Sequence, residues 1–560
     1  MHRRSWLLPL ALLLAVHTTV ARAQTTYTSS WSAGTTWTAL TFSPSGTPAA
    51  NDTVVLTGTS GLLSINTPVT VGNMDWVADT GTMSSSTTSN TLSLNMGSGT
   101  AAVRIGRGSP LGALSGRGWQ FNPNLALDSN AAISFFNIEK GATRNVRVGG
   151  VVTDGANGAK SLSVNIGSFG TGGGVAGDNH QYTLGLSGGA ANTFSGGLSL
   201  TFSSTTNATT NVDVTLAKTN ALGAGRVTFG SNVSRLRIFS GTFSQTVAGL
   251  VAASTPSISG TSTLTLQLAD SSTSSFAGRL TGAMRLAVGM AVGGAGSGIQ
   301  IFSGSHSYTD STTITGGRLE IASAGSINST SGVTINGASA EFTYNSATPL
   351  SQPLTLTQGI LSGTGTIGTA VSVGSGATLS PGNSPGTQAF TSGLTWLSGG
   401  TYDWEINDAT GTLGGNPGWD LLDVTGGTLN LASLTPGSFT LDLITLNSLV
   451  SGSMANYTPG QAYTWQIVRT TAGGVLTPTG TAGGGEDLTS LFNLVTTSWA
   501  SGPVPSTIQV KVSSGGTGLE LVVVPEPETL VLAGVGAFMA GWSVWKRRRI
   551  AAICDRPVRS

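Results

Sequence analysis

Cysteine is almost absent from this chain: Cys554 is the sole thiol in 560 residues. No intramolecular disulfide can form, so the fold must be held by burial and backbone pairing. Histidine is nearly as scarce, and beyond the first two dozen residues only His180 and His306 remain. Zinc sites and Ser-His-Asp triads need partners converging in space. Neither histidine has a His or Cys neighbour in sequence, so each reads as a surface or turn residue. Charged residues make up 9% of the chain, against about a quarter in ordinary soluble domains. Residues 24–545 hold 16 Lys or Arg against 23 Asp or Glu, and within 320–545 only Arg469 and Lys511 oppose 13 acids. A phosphate backbone finds nothing to bind there, which excludes nucleic acid as a partner. Capped helices with a 3.6-residue apolar stripe are missing as well between Gln24 and Val524.

What the chain does have is glycine, 81 residues of it, with Val, Ile and Thr throughout and a mean hydropathy of +0.17. Disordered chains show the opposite balance, poor in β-branched residues and rich in charge. Period-two segments recur: Thr91-Leu92-Ser93-Leu94, Ser161-Leu162-Ser163-Val164-Asn165-Ile166, Leu198-Ser199-Leu200-Thr201-Phe202 and Thr263-Leu264-Thr265-Leu266-Gln267-Leu268. Each buries one face and shows Ser, Thr or Asn on the other. Gly pairs, Asn-Gly and Ser-Gly separate them, which is the punctuation of short strands. Sandwich, barrel and solenoid all fit that much. Loose repetition favours the solenoid: Asn192-Thr193-Phe194-Ser195-Gly196-Gly197-Leu198 is echoed by Thr313-Ile314-Thr315-Gly316-Gly317-Arg318-Leu319. The expected fold class is therefore all-β, a right-handed parallel β-helix with glycine at its corners.

The two ends read as addresses. His2-Arg3-Arg4 precedes the apolar run 6–16 and then Ala21-Arg22-Ala23. A basic start, a short apolar core and small residues at −3 and −1 make a signal peptide cut by signal peptidase after Ala23. At the other end Pro525-Glu526-Pro527 is followed by the apolar run 529–545 and by Lys546-Arg547-Arg548-Arg549. That run is at the short end of what spans a bilayer, and four adjacent cations resist translocation, so the tail is expected to stay cytoplasmic. Two prolines fix φ and remove donors, keeping residues 525–527 out of both the preceding strand and the following helix.

This three-part end, over residues 524–553, resembles the PEP-CTERM sorting domain of Gram-negative bacteria. The resemblance implies recognition by an exosortase in the inner membrane, processing near Pro525-Glu526-Pro527, and delivery to the cell surface or extracellular matrix, with exopolysaccharide as a candidate partner. A second resemblance lies in residues 313–387, which end in Leu379-Ser380-Pro381-Gly382-Asn383-Ser384-Pro385-Gly386-Thr387 and look like the autotransporter-associated β-strand repeat, implying a parallel β-helix. An autotransporter also needs a pore of many alternating strands, and the segment from Thr387 to the tail is too short for one.

The expected organisation is a signal peptide at 1–23, a β-solenoid passenger with these repeats at 24–389, a C-terminal β-domain or cap at 390–524, and the sorting and anchor segment at 525–553. The first hundred or so residues, with Trp31, Trp37 and Trp76, are candidates to cap the other end. Residues 508–512 and 519–523 read as a final hairpin. No catalytic residue, cofactor or metal site is expected. Gly363-Thr364-Gly365-Thr366-Ile367-Gly368 fits a nucleotide-loop pattern but lacks a following helix, so it reads as a corner. Acids do gather at Asp403, Glu405, Asp420 and Asp423. Paired carboxylates hydrolyse glycosides and oxygen clusters hold Ca²⁺, while acids on a strand face also simply solvate it. Three functions follow: a structural or adhesive surface protein, a surface carbohydrate-binding protein, or a β-helical polysaccharide lyase or hydrolase.

Overall fold

Alternating apolar and hydroxyl residues place every second side chain on one face, and such a strand is stable only when that face is covered. Here it is covered by the chain itself. A computed structural model describes residues 24–524 apart from residue 33 and the stretches 59–61, 79–80, 86–88, 107–118, 137–143, 168–180, 187–189, 204–210, 231–235 and 240–241. In the strand Thr53–Gly58, Val54 and Leu56 point inward. Two further strands, Leu62–Ile65 and Val69–Val71, follow in other directions, and Asn73–Ala78 then returns to pair in parallel with Thr53–Gly58.

That turn is repeated. Thr26–Trp31, Thr53–Gly58, Asn73–Ala78, Thr100–Gly106, Asn130–Phe136, Leu162–Gly167 and Leu198–Ser203 form one continuous parallel ladder. A second ladder carries Leu62–Ile65, Gly81–Ser85, Trp119–Asn122 and Arg144–Val148. A third carries Val69–Val71, Thr91–Leu94, Asn124–Leu127 and Val152–Asp154. Each strand pairs with its equivalent one turn away and in the same direction, which is the pairing of a β-solenoid. The first ladder runs on through Leu354–Gly363, Ala377–Pro381, Thr401–Ile406, Phe439–Asn447 and Phe492–Val495, passing residue 390 without a break.

Parallel register sets like beside like in the interior. Phe276 pairs with Phe302 and their rings lie 6.2 Å apart. Trp31, Trp76 and Phe121 meet in the interior from two different ladders, at 6.1 and 6.5 Å. Trp396 stacks on Phe439 at 4.4 Å with the planes 6° apart, and Phe492 meets Phe439 edge-on. Offset and edge contacts of this kind add to what burial alone supplies.

One end of the coil differs from the expectation, and at the other the expected final hairpin is present. Coiling is already under way at Thr26, so the first hundred residues are rungs and not a separate lid. Instead Tyr27, Trp37 and Phe42 lie over the first turn, with ring contacts of 6.1 and 5.6 Å. At the far end the direction reverses: Tyr463–Thr470 pairs antiparallel with Gly518–Val523, which pairs antiparallel with Ile508–Val512. This hairpin covers a sheet edge that would otherwise template further pairing. Among the described residues no helix is long and apolar enough to cross a membrane; the apolar run 529–545 lies outside them.

His306 corrects the sequence reading. It is no surface residue but is 4% exposed, between Phe302 at 4.4 Å and Phe276 at 6.2 Å. Its Nδ1 accepts the Leu280 N–H at 3.0 Å, and Nε2 is buried with no partner. Alternation alone could not show this, because Ser305 and Ser307 on either side look like any turn. Burial, and then the Arg279 charge, lower its pKa to about 3. The folded state therefore binds this proton less readily than the unfolded chain. Its contribution is complete above pH 6.5 and is lost at about 1.4 kcal/mol per unit as pH falls toward 3. His306→Gln keeps an acceptor for Leu280 and does not titrate. Between pH 6.5 and 4.5 its melting temperature is expected to fall less than that of the parent chain, which thermal denaturation across pH measures.

Candidate functional site

Thr401–Ile406 alternates cleanly: Tyr402, Trp404 and Ile406 are buried while Asp403 and Glu405 face outward, half-buried. On the next rung Phe439–Asn447 pairs in register, setting Asp442 beside Asp403, about 4.8 Å along the axis. Burial, then the neighbouring Asp442 and Glu405 charges, push the Asp403 carboxyl up to about 6. Burial likewise raises Asp442, whose Oδ1 has no hydrogen-bond partner, and Glu405, which a hydrogen bond from the Ser384 side chain partly offsets.

Asp420 lies wholly inside. Its Oδ1 accepts the Gly386 N–H at 2.7 Å, its Oδ2 accepts the Glu405 N–H at 2.9 Å, and its carbonyl accepts the Trp404 indole N–H at 3.0 Å. Desolvation and the Glu405 charge hold its pKa well above the usual carboxylate range, against the pull of the two amides. One carboxyl thus joins the strand 401–406 to the turn that ends at Gly386. That turn is Leu379-Ser380-Pro381-Gly382-Asn383-Ser384-Pro385-Gly386, and its glycines have a physical reason. Gly382 has φ +84°, and a Cβ there would stand 2.4 Å from the Gly386 nitrogen. Ser384 adopts φ +63°, and its carbonyl accepts a hydrogen bond from Asn416 Nδ2 at 3.0 Å.

The four acids singled out in the sequence therefore divide. Asp403, Glu405 and Asp420 share one neighbourhood. Asp423 leaves it: on the strand Leu421–Val424 it meets Arg469 in register and takes that guanidinium through both oxygens, Nε at 2.9 Å and Nη2 on the other. Nearness in sequence misled here because strand residues three apart face opposite ways. Among the described residues no group of three or more His, Cys, Asp or Glu side chains is arranged to hold a metal ion. Sequence reasoning missed Asp442 and Asn416. For Asp442 a signal existed, since Thr440-Leu441-Asp442-Leu443 repeats the pattern Thr401-Tyr402-Asp403-Trp404. The corner at 363–368 is as expected: Gly363 ends a strand at φ +106° and the short strand Thr366–Ile367 follows.

The terminal candidates, Ala21 and Ala23 at one end and Pro525, Glu526, Pro527, Lys546, Arg547, Arg548 and Arg549 at the other, lie outside the described residues, as does His180.

Two outcomes follow for the acid cluster. Asp420→Ala strands the amides of Gly386 and Glu405 in a buried site, and a loss of about 2–4 kcal/mol is expected by chemical denaturation. Asp403 works with the opposite sign to His306. Its folded pKa lies above its unfolded one, so the native state holds the proton longer and stability falls as pH rises from 3.8 to about 6. Asp403→Asn removes that penalty, worth up to about 3 kcal/mol. The variant is expected to melt higher than the parent at pH 7 and to gain nothing at pH 3.5.

Comparison with known families bears on the region beyond the last strand. The family model of the PEP-CTERM protein-sorting motif matches residues 523–549. No curated protein matches the chain. The match begins on the last residue of the strand Gly518–Val523 and takes in Pro525-Glu526-Pro527, the apolar run and the four cations. The chain carries a PEP-CTERM sorting motif, the mark of an exported protein directed to exosortase and to the cell surface or extracellular space.

Proposed function

We propose that the chain is a non-enzymatic structural or adhesive component of the cell surface or extracellular matrix, delivered as a finished β-solenoid and held only transiently at the inner membrane. One observation carries the reading: the sorting motif begins where the closing hairpin ends. Among the described residues Val524 makes the last backbone bond, donating to Thr507 at 3.1 Å. Pro525 has no N–H to continue it. A cleavage near Pro525-Glu526-Pro527 would leave the closing hairpin Ile508–Val512 and Gly518–Val523 paired in the released passenger.

The supporting chemistry is consistent along the chain. Signal peptidase acting after Ala23 leaves Thr26–Trp31 as the first strand. The run 529–545 with Lys546-Arg547-Arg548-Arg549 behind it supplies a short membrane plug and a stop. Residues 313–387 read as autotransporter-associated β-strand repeats, and their Pro-Gly turn is packed against Asp420. The coil is taken as right-handed, with residues 390–524 as its closing segment. Exopolysaccharide is the partner that such a destination offers. Carbohydrate binding is the second reading, favoured by an outer groove described below.

The expected outcome of fractionation is clear. The full chain should reach the surface or the medium with a mass ending near Pro527. A chain truncated before Pro525 should collect in the periplasm. An extracellular product intact through Ser560, or the same distribution for both chains, contradicts the proposal.

A further inference from the structure

We infer that the outer face of the solenoid carries a groove that binds an extended, carboxylate-bearing polysaccharide, with Arg226 as its anionic recognition residue. Three successive strands of the long ladder line it, Leu162–Gly167, Leu198–Ser203 and Val227–Phe229, and it runs on past Ala248 and Ser272 in the turns that lead into the next two, Leu250–Ala252 and Thr273–Phe276. At the usual spacing these five strands span roughly 19 Å along the axis. The groove encloses about 440 Å³ and is open to solvent along its length. Its shape suits a chain more than a compact molecule.

Register explains why a hollow exists here. Leu162, Leu198, Val227 and Leu250 point inward and pair in line, so the residues just before them form a column as well, outward-facing at Ser161 and Arg226. That column reads Ser161, Gly197, Arg226, Gly249. Glycine stands in line on both sides of the arginine, so neither of these two neighbours sets a side chain beside it. Neither glycine is free to change, since Gly197 has φ +104° with a Cβ position 2.9 Å from the Arg226 carbonyl, and Gly249 has φ +152° with one 2.5 Å from Ser274 Oγ. Two residues along runs a second outward column, Ser163, Ser199 and Thr228, in direct register.

The chemistry of the lining points to the ligand. Arg226 is partly buried and its guanidinium has no ion pair or hydrogen bond among the described residues. The hydroxyls of Ser161, Ser163, Ser199 and Thr228 are equally without partners there. The nearby carboxylate of Asp154 is already engaged, by the Ser195 N–H at 3.0 Å, the Ser195 hydroxyl at 2.6 Å and the Lys160 N–H at 2.9 Å. A row of free hydroxyls matches a polyhydroxylated chain. One fork of N–H donors matches a planar carboxylate on it. No aromatic platform lines the groove, so recognition rests on hydrogen bonds and charge.

This inference takes its setting from the proposed surface delivery, but the two fail separately, because binding is measured on purified protein and delivery by fractionation. The full chain in detergent is titrated by calorimetry with a short oligogalacturonate and with a neutral glucose oligosaccharide of equal length. Binding of the acidic sugar alone is expected, weakened by added salt. Arg226→Gln should lose at least about tenfold in affinity. Ser199→Val, which narrows the second column and removes a hydroxyl, should also weaken binding with melting temperature unchanged, and stands in if the arginine variant does not fold. No binding of the acidic sugar, equal binding of the neutral one, or full affinity in both variants overturns the inference.

Discussion

Parallel register between one turn and the next is the constraint on which everything else in this molecule depends. A strand one residue out of step would turn its apolar face to water. In step, it extends a column of identical burial, and the column rather than any single contact is the stabilising unit. With no disulfide available, the chain is held by this repetition: Leu56 to Trp76 on one face, Phe276 to Phe302 further along, Trp396 to Phe439 to Phe492 near the end. Glycine matters where two backbones approach too closely for a Cβ, as at Gly382 and Gly386.

The same register that stacks rings also stacks charges. Asp403 and Asp442 are neighbours because their strands are equivalent, and Glu405 and Asp420 follow as consequences of the next residues along. Such a cluster resists ionisation, whereas His306, trapped among rings, resists protonation. The two act in opposite pH directions and so flatten the dependence of stability on pH. Asp420 differs from the other acids, since its oxygens are committed to two amides and tie the Pro-Gly turn to the following rung.

Outward positions are free of these demands, and there the chain places Ser, Thr and Asn in place of the usual charged residues. A hydroxyl-covered wall with few charges makes each uncompensated cation conspicuous. Arg226, in line with Gly197 and Gly249, is one among the described residues. The sorting motif at 523–549 gives this wall a destination, and the closing hairpin gives it an end from which a processing enzyme could work.

From the residues alone one can determine the β class, the alternation that orients each strand, the final hairpin, and the sorting motif at 523–549. These are local properties: period two, turn glycines, an apolar run with cations behind it. What the tertiary structure decided is which strand lies on which. Equivalent positions are 20 residues apart between Thr53 and Asn73 and 53 apart between Phe439 and Phe492, so no fixed period exists in the sequence to be found. That irregular winding separated Asp423 from Asp420, brought Asp442 to Asp403, buried His306, and opened space beside Arg226. Loops absorb insertions at little cost in free energy, and the register of the strands they join is therefore visible only once the rungs are stacked.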